Sequence, residues 1–388
     1  MNKVPKLRFK EFSEEWEEKR LGEVSEIIMG QSPSSSKYNE NFNGLPLIQG
    51  NADCKNRKVF PRIYTTEITK ESFPNDIIMT VRAPVGAISL SNIHSCIGRG
   101  VCAIRNASNF IYHYLIKLED SWDKLAQGST FTAVNSNNIK NLKINLPLLQ
   151  EQEKIADFLS SVDKKISITE EKLDLFKDYK KGIMQKIFKQ ELRFKDSNGN
   201  DYPEWEEKRL GNICYYFNGG SLESYVVNNG KYNLITLNSI SIEGNLKKEH
   251  KTVNINKNLL NKYDLVMVLS DVAHGNFLGL TAIIPEDNMF VLNQRMGGLK
   301  IKYDENVYYL RYYINSNQFY FKLHGQGSSQ LNLSKKDIED FIVKLPCLEE
   351  QQKIADFLSS IDNKIDNLAA ELENLKEFKK GLLQQMFV

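Results

Sequence analysis

The few groups of reactive side chains in this sequence do not assemble into a recognisable metal or catalytic centre. His94 stands close to Cys96 and Cys102, and imidazole and thiolate groups are ligands that zinc accepts. The spacing matches no zinc motif, however, and small buried residues in a strand-turn-strand segment explain the pattern more simply. His113, in the run IYHYLIK, fits the flank of a helix core better than it fits a general base. We therefore expect no metal site in this chain.

The sequence also lacks the motifs that handle nucleotides or transfer methyl groups. It contains no GxxxxGK[ST] phosphate loop, no GxGxxG, and no Asn-Pro-Pro-aromatic or Asp-Pro-Pro-aromatic run of the kind found in amino-methyltransferases. Asp76 and Asp264 begin strand-like runs at matching places, but neither has a second acidic residue nearby, as the metal site of a nuclease requires. We expect a non-catalytic protein that binds no cofactor itself.

Bulk composition indicates a folded protein of the cytoplasm. The 388 residues are 41% hydrophobic and 10% aromatic, which is enough for two or three cores. Five cysteines, an odd number without CxxC spacing, favour free thiols. No apolar run reaches the roughly 18 residues of a membrane span. The net charge is only +2, so any surface that binds nucleic acid must be a local patch.

Three elements of the chain occur twice. The segment QEKIADFLSSVDKKI at 152–166 returns as QQKIADFLSSIDNKI at 351–365, and WEEKRLG at 16–22 returns at 205–211. The motif LRFK precedes both copies of WEEKRLG. Two copies are too few for a solenoid. The duplication therefore predicts a pseudo-dimer with two-fold symmetry.

Each copy of the longer repeat starts a helix with a heptad pattern. Apolar residues recur at alternating steps of four and three, which is typical of a coiled-coil seam. The seam positions are Ile155, Leu159, Val162, Ile166, Leu173, Phe176, Ile183, Ile187, Ile354, Leu358, Ile361, Ile365, Leu368, Leu372, Leu375, Leu382 and Met386.

The obvious partner for each seam is the other one, and globular halves at opposite ends would make the two helices antiparallel. Lys180 and Lys379 interrupt the seams at equivalent places. We expect their stems to reach along the helices toward water. In the alternative arrangement, each helix packs on its own domain instead.

The segments between the helices predict a mixed α/β fold. Buried strands are predicted at 76–81 and 264–269, and helices at 110–125 and 307–323, in corresponding places of the two halves. The predicted organisation is a globular domain at 1–149, a helix at 150–188, a second domain at 189–348 and a second helix at 349–388. Loop sequences differ between the halves, which suggests one scaffold with two different sites.

The whole chain resembles the specificity subunit of type I restriction-modification enzymes. The similarity lies in WEEKRLG, a variable domain, and the run from a proline through EQ and IADFLSS to an aspartate, all given twice. The resemblance implies two target-recognition domains on an antiparallel helical pair, each reading one half of a bipartite sequence in double-stranded DNA. It implies that the helices set the spacer between the half-sites.

The resemblance also implies partners and their cofactors. Two modification subunits would carry the adenine methyltransferase chemistry and dock on the helices, and restriction subunits would translocate and cut DNA. S-adenosylmethionine, ATP and Mg would then bind to those partners. Two alternatives stay open: a coiled-coil scaffold or adaptor without specific DNA recognition, and a duplicated enzyme that acts alone.

For a DNA reader, the candidate contacts are Arg, Lys, Asn, Gln, Ser and Thr in loops or just after buried strands. In the first half they are Gln31, Ser34, Ser35, Ser36, Lys37, Asn51, Lys55, Arg57, Lys58, Arg62, Arg82, Arg99, Gly128, Ser129 and Thr130. In the second half they are Ser221, Lys231, Asn238, Ser239, His274, Asn276, Gln294, Arg295, Ser328, Ser329 and Gln330. Arg82, Arg99, His274, Asn276 and Arg295 are the strongest, because a buried strand before each holds it firmly while it projects outward. A solvated charge or a structural hydrogen bond is the competing role for every one of them.

Overall fold

The computed structural model describes residues 4–122, 134–272 and 275–388. The chain divides into two compact units. The first unit is Met1–Glu171 with Ala369–Val388, and the second unit is Lys172–Leu368. Each unit therefore contains a globular part and a piece of both long helices. Among the described residues, no helix is both long enough and apolar enough to cross a membrane.

The first unit is built on mixed sheets. Its strands are β1 (Glu17–Arg20), β2 (Glu26–Met29), β3 (Tyr38–Asn39), β4 (Leu45–Ile48), β5 (Cys54–Lys55), β6 (Lys58–Val59), β7 (Ile63–Thr65), β8 (Glu71–Ser72), β9 (Ile77–Thr80), β10 (Ile88–Leu90), β11 (Ser95–Ile97), β12 (Val101–Arg105) and β13 (Lys143–Leu146). One sheet has the order β2-β12-β9-β10-β6-β5, another the order β3-β7-β4-β11-β8, and β1 pairs with β13. Most neighbours are antiparallel, but β10 is parallel to β6 and β11 is parallel to β4.

Short helices cover this scaffold. They are α1 (Leu21–Val24), α2 (Asn109–Lys117) and α3 (Ser136–Lys140). The side chain of Ser108 caps α2 by accepting a hydrogen bond from the Ile111 amide, which satisfies one free donor of the first turn. The helix predicted at 110–125 is interrupted by a turn at Leu118, because α2 ends at Lys117 and residues 119–122 are helical again. Residues 123–125 lie outside the described part.

The second unit repeats this plan. Its strands are β14 (Glu206–Arg209), β15 (Cys214–Asn218), β16 (Val226–Val227), β17 (Tyr232–Ile235), β18 (Lys251–Val253), β19 (Leu259–Leu260), β20 (Leu265–Val268), β21 (Ser270–Val272), β22 (Thr281–Ile283), β23 (Phe290–Leu292), β24 (Met296–Ile301), β25 (Gln330–Asn332) and β26 (Ile342–Leu345). The sheets are β15-β24-β20-β22 and β16-β18-β17-β23-β19, with the pairs β14-β26 and β21-β25.

The remaining short helices belong to the second unit. They are α5 (Leu210–Ile213), α6 (Val307–Ser316), α7 (Gln318–His324) and α8 (Lys335–Glu339). The two long helices are α4 (Leu149–Phe188) and α9 (Leu348–Met386). One helix was predicted at 307–323, but the helix is interrupted at Asn317, which separates α6 from α7.

The long helices have 40 and 39 residues, about 60 Å each at 1.5 Å per residue. Both begin soon after a proline. The side-chain amide of Gln152 donates to the Pro147 carbonyl at 2.9 Å, and Gln351 does the same to Pro346 at 2.9 Å. These matching bonds fix the first turn of each helix against the strand before it.

The helix segments are antiparallel within each unit. In the first unit Lys379 pairs with Asp163 at 2.5 Å and Lys376 with Glu170 at 2.7 Å, so residue numbers fall along one helix as they rise along the other. In the second unit Lys180 pairs with Asp362 at 2.5 Å, and Lys364 lies 5.2 Å from the centre of the Phe176 ring.

The predicted seam is covered along its length. Of its 17 positions, ten are buried and seven are half-buried. Nine of the ten buried positions belong to the two hydrophobic cores of the globular parts. Pairing of the helices and packing on the domains, which the sequence presented as alternatives, therefore occur together.

The expectation for Lys180 and Lys379 is wrong. The Lys379 side chain is only 9% exposed and Lys180 is 17% exposed, so neither ammonium group is freely solvated. An ammonium group buried against apolar residues needs a counter-ion. Asp163 and Asp362, one on each helix, supply it.

Aromatic side chains join the helix ends to the cores. In the first unit the Phe387 ring lies 5.0 Å from Phe110, 5.4 Å from Tyr114 and 6.4 Å from Trp16. In the second unit the corresponding residue is Phe188, whose ring lies 6.0 Å from Tyr309 and 5.3 Å from Tyr313.

The arginine of each LRFK motif binds a glutamate in the first turn of a long helix. Arg8 donates from Nε and Nη2 to Glu151 at 2.8 and 2.7 Å, and Arg193 donates to Glu350 at 3.2 and 2.8 Å. The side chains of both glutamates are at most 1% exposed. The repeated residues of the sequence thus form the same frame twice.

Candidate nucleic-acid interface

Four strands of the first unit bring their loops to one place. The Gly30 amide donates to the Val101 carbonyl at 3.0 Å, and the Gln31 amide donates to Ile97 at 2.9 Å. The Gly98 amide donates to Ile48 at 2.8 Å, and the Val81 amide donates to Gly100 at 2.9 Å. These bonds gather the loops that follow β2, β4, β9 and β11. We call loops 30–37, 49–53, 81–86 and 98–100 the first edge.

The second unit has a matching edge. The Gly219 amide donates to the Met296 carbonyl at 3.0 Å, and the Asn293 amide donates to Ile235 at 3.0 Å. The Leu269 amide donates to the Arg295 carbonyl at 2.9 Å. The loops that follow β15, β17, β20 and β23 therefore meet. Residues 219–222, 236–239, 269–272 and 293–295 form the second edge.

Matching glycines allow the loops to approach so closely. A β-carbon at Gly30 would overlap the Gly98 carbonyl, and one at Gly219 would overlap the Asn293 carbonyl. Backbone packed directly on backbone requires a residue without a side chain. The edges are therefore rigid where the strands end.

Three arginines have no hydrogen-bond or ion-pair partner for their guanidinium groups among the described residues. Eight of the 11 arginines donate from the guanidinium to a protein oxygen: Arg8, Arg20, Arg57, Arg62, Arg105, Arg193, Arg209 and Arg311. Arg82, Arg99 and Arg295 are exposed and make no side-chain hydrogen bond or ion pair with any described residue. The pKa of the Glu223 carboxyl is lowered chiefly by its hydrogen bond with Lys251, and Arg295 adds to this only through a longer-range electrostatic interaction. Among the described residues these guanidinium donors have no acceptor, so they are available to bind one outside the chain.

Many of the predicted contact residues lie on the two edges. The first edge carries Gln31, Ser34, Ser35, Ser36, Lys37, Asn51, Arg82 and Arg99, and the second edge carries Ser221, Asn238, Ser239, Gln294 and Arg295. All are exposed except Ser239. Ser239 is buried, accepts a hydrogen bond from the Thr236 amide and donates to the Leu234 carbonyl. These bonds give it a structural role in the turn.

A two-stranded ribbon leads away from the second edge. β21 follows directly after Leu269 and pairs with β25. Gln330 is half-buried there and donates its side-chain amide to the Ser270 hydroxyl, while Ser328 and Ser329 are exposed before β25. Asn276 is exposed as well, and its side-chain oxygen accepts a hydrogen bond from Lys322 at 2.9 Å.

Other predicted contacts lie elsewhere. Lys55, Arg57 and Lys58 belong to the hairpin of β5 and β6. Arg57 donates two hydrogen bonds to Glu119, at 2.6 and 2.8 Å, and a third to the Ile88 carbonyl. This geometry favours a structural role for Arg57. Lys231 stands just before β17, at the other end of that strand from Asn238.

Arg62 binds Asp53, which belongs to the first edge. Its Nε atom donates at 2.9 Å to Asp53, and the same carboxylate accepts a hydrogen bond from the Gln49 amide. The four predicted contacts Gly128, Ser129, Thr130 and His274 lie outside the described residues.

Sequence reasoning missed two residues that shape the edges. The Ser32 hydroxyl accepts a hydrogen bond from the Arg99 amide at 3.1 Å. Asn293 is 3% exposed, and its side-chain oxygen accepts from the Leu222 amide at 3.1 Å. A serine or asparagine just after an apolar strand run is the turn signal that could have pointed to them.

The surroundings of His94, Cys96 and Cys102 favour structural roles for these residues. In the described ranges, no group of three or more His, Cys, Asp or Glu side chains is placed to hold a metal ion. His94 lies 2.6 Å from Glu71 and stacks on Phe73. Cys96 and Cys102 are fully buried, and burial raises the pKa of Cys102 to about 12. Such a thiol is a poor ligand and a poor nucleophile at neutral pH.

The two predicted strand-start acids and His113 are also accounted for. Asp76 accepts hydrogen bonds from Arg105 at 3.1 to 3.4 Å. Asp264 accepts one from the Asn261 amide at 2.8 Å, and burial raises the pKa of its carboxyl. His113 is fully buried, and burial, with the nearby Lys379 and Arg57, lowers its pKa to about 3.

Comparison with known proteins agrees with the duplicated architecture. The chain is 35% identical over 192 residues to the putative type I restriction enzyme MjaX specificity subunit of Methanocaldococcus jannaschii; the match covers 48% of this chain and 45% of that relative. It is 27% identical over 289 residues to the MjaVIII specificity subunit of the same organism, covering 70% of this chain and 67% of the relative. The match to the first relative thus spans less than half of that protein's length.

A solved structure shares the fold. The S subunit of a type I restriction-modification system from M. genitalium matches with a TM-score of 0.65 at 18% identity, over 99% of both chains. The family model of the type I restriction modification DNA specificity domain matches residues 13–176 and again residues 202–377. By these two matches, which together cover most of its length, the chain belongs to the family of type I restriction modification DNA specificity domains.

Proposed function

We propose that this chain is the DNA sequence-recognition subunit of a type I restriction-modification complex. The first edge would read one half of a bipartite target and the second edge the other half. The observation that carries the proposal is that the only arginines without a partner among the described residues, Arg82, Arg99 and Arg295, all project from these two edges. Guanidinium groups on loops fixed by strands are well suited to contact guanine bases and phosphates.

The two long helices would set the spacer between the half-sites. A helix of about 40 residues is a stiff spacer, and the ion pairs Asp163–Lys379 and Lys180–Asp362 oppose sliding of one helix along the other. B-DNA repeats every 10 to 10.5 base pairs, so readers at a fixed separation accept only certain spacings. The domains at 1–149 and 189–348 are the proposed readers.

The chemistry would belong to partner subunits. We propose two modification subunits that methylate adenine and restriction subunits that translocate and cut DNA, with S-adenosylmethionine, ATP and Mg bound to them. A methyltransferase must flip its target base out of the duplex, so a separate subunit that holds the DNA is a sensible division of tasks. The complex would act in the cytoplasm, where its DNA substrate is found.

Sequencing of methylated adenines in a host that carries this chain and its modification subunit tests the proposal. We expect methylated adenines in a split sequence with a constant spacer, and none of them in a host that carries the modification subunit alone. Methylation that does not depend on this chain, or that shows no bipartite pattern, would refute a reading role and favour the scaffold alternative.

A further inference from the structure

One turn occupies the same place in both edges. In the first unit, turn 98–101 closes with a hydrogen bond from the Val101 amide to the Gly98 carbonyl at 3.1 Å. In the second unit, turn 293–296 closes with a bond from Met296 to Asn293 at 3.3 Å. Each turn connects a strand of a five-stranded sheet to a strand of the neighbouring sheet. We call them the matched turns.

The second residue of each matched turn is Arg99 in the first unit and Gln294 in the second. Both are exposed, and neither side chain makes a hydrogen bond with a described residue. Their backbones, in contrast, are held. Ser32 accepts from the Arg99 amide, and the buried Asn293 precedes Gln294 and bonds to loop 219–222. Side chains with unused hydrogen-bonding groups on a held backbone are well placed to contact bases.

The two side chains differ in the base they recognise. An arginine donates two parallel hydrogen bonds to O6 and N7 of guanine, whereas a glutamine donates to N7 and accepts from N6 of adenine. A phosphate contact does not explain the pair, because glutamine carries no charge with which to bind a phosphate strongly. The neighbouring Arg295 takes the left-handed conformation (φ 69°), so the second turn keeps a charged residue in a backbone conformation that favours glycine.

We infer that the matched turns are base-reading elements, with Arg99 selecting a guanine in one half-site and Gln294 selecting an adenine in the other. This inference rests on the proposed function and adds which residue reads which base. It also places the two selected bases at equivalent positions of the two half-sites, because the turns are equivalent in the two units.

Reciprocal substitutions test the assignment. The full chain with its modification subunit would be assayed for methylation of a library in which every base of both half-sites is varied. Arg99→Gln should reduce the preference for guanine at one position of one half-site roughly 5- to 150-fold, and Gln294→Arg should do the same for adenine at one position of the other. Arg20→Gln and Arg209→Gln serve as matched controls, since both arginines are exposed but bonded within the chain, to Asn141 and Asp340.

The outcomes separate the inference from its premise. A change confined to one base position for each variant, with the controls unchanged, supports the inference. An equal loss on all sequences would identify phosphate contacts and overturn it, as would an unchanged preference in a variant that keeps the wild-type thermal midpoint. If the unsubstituted complex methylated no bipartite site, the proposed function itself would fail, and the inference with it.

Discussion

The ammonium group of Lys379 lies 2.5 Å from a carboxylate oxygen of Asp163, and the two residues come from different long helices within the first unit. Lys180 and Asp362 repeat the contact in the second unit at the same distance. Burial lowers the pKa of Lys379, while Asp163 acts in the opposite direction and favours the charged form. The carboxylate is thus what keeps a charged lysine inside the helix interface.

Removing this carboxylate should destabilise the first unit. In the Asp163→Asn variant the Lys379 ammonium stays buried without its counter-ion, and we expect a loss of about 1–3 kcal/mol in the free energy of unfolding. Urea denaturation followed by circular dichroism measures it. Glu170→Gln is the matched control, because its partner Lys376 is 48% exposed and such pairs contribute about 1 kcal/mol or less. Equal losses in the two variants would argue against a special role for the buried pair.

Acid should weaken the fold through His113. Its pKa is about 3 in the folded chain against an ordinary value of 6.5. The unfolded chain therefore takes up a proton as the pH falls through 6.5, while the folded chain does not. The stability from neutral His113 is complete above pH 6.5 and is lost as the pH falls toward 3.

The His113→Tyr variant isolates this contribution, since Tyr312 occupies the matching position of the second unit and donates to Asp362 at 2.6 Å. Between pH 7 and pH 5 the unsubstituted chain should lose about 2 kcal/mol more stability than the variant. Denaturation curves at both pH values provide the comparison. Parallel losses would show that His113 is not responsible.

Arg82→Ala and Arg295→Ala should each weaken recognition of one half-site and leave the fold intact. Each substitution removes a free guanidinium from one edge, so we expect a cost of about 1–3 kcal/mol in binding of the target duplex. Binding of labelled DNA by the assembled complex measures this, and size-exclusion chromatography checks assembly. Arg20→Ala and Arg209→Ala should behave like the unsubstituted chain. Loss of assembly in the Arg82 or Arg295 variant would show that the residue was assigned to the wrong role.

Lengthening the helices should lengthen the spacer. Four residues inserted after Thr169, with a matching insertion after Leu368, add about 6 Å to each helix, which corresponds to about two base pairs of DNA. Sequencing of methylated adenines should return the same two half-sites at a larger separation. An unchanged spacer in a well-folded variant would refute the proposal that the helices set the distance between the half-sites.

The sequence predicted the helices and their apolar seam better than it predicted the individual side-chain contacts. Heptad spacing identified the seam, because apolar periodicity reports burial directly. The same reasoning misjudged Lys379, because its partner Asp163 lies outside the seam positions of the other helix and only the antiparallel register brings the two together. The core role of Phe387 was not predicted, although Phe188 stands at the matching place of the first repeat.

Among the candidate contacts, residue type and position after a strand were informative but incomplete. Arg82 and Arg57 look alike as basic residues near predicted strands. Only the fold shows that Glu119, distant in sequence, already binds Arg57, whereas Arg82 has no partner among the described residues. Contacts across such sequence distances leave no local pattern in a single sequence.

The lysine and aspartate pairs between the long helices also decide which way the helices can run. Each helix contributes one aspartate to these pairs and, 17 residues later, one lysine: Asp163 and Lys180 on α4, Asp362 and Lys379 on α9. If the helices were aligned in the same direction, aspartate would face aspartate and lysine would face lysine inside an apolar interface, where like charges repel strongly. Reversing one helix turns both repulsions into attractions. A gene duplication that copied these two residues together therefore produced a pair of helices with a built-in preference for opposite directions.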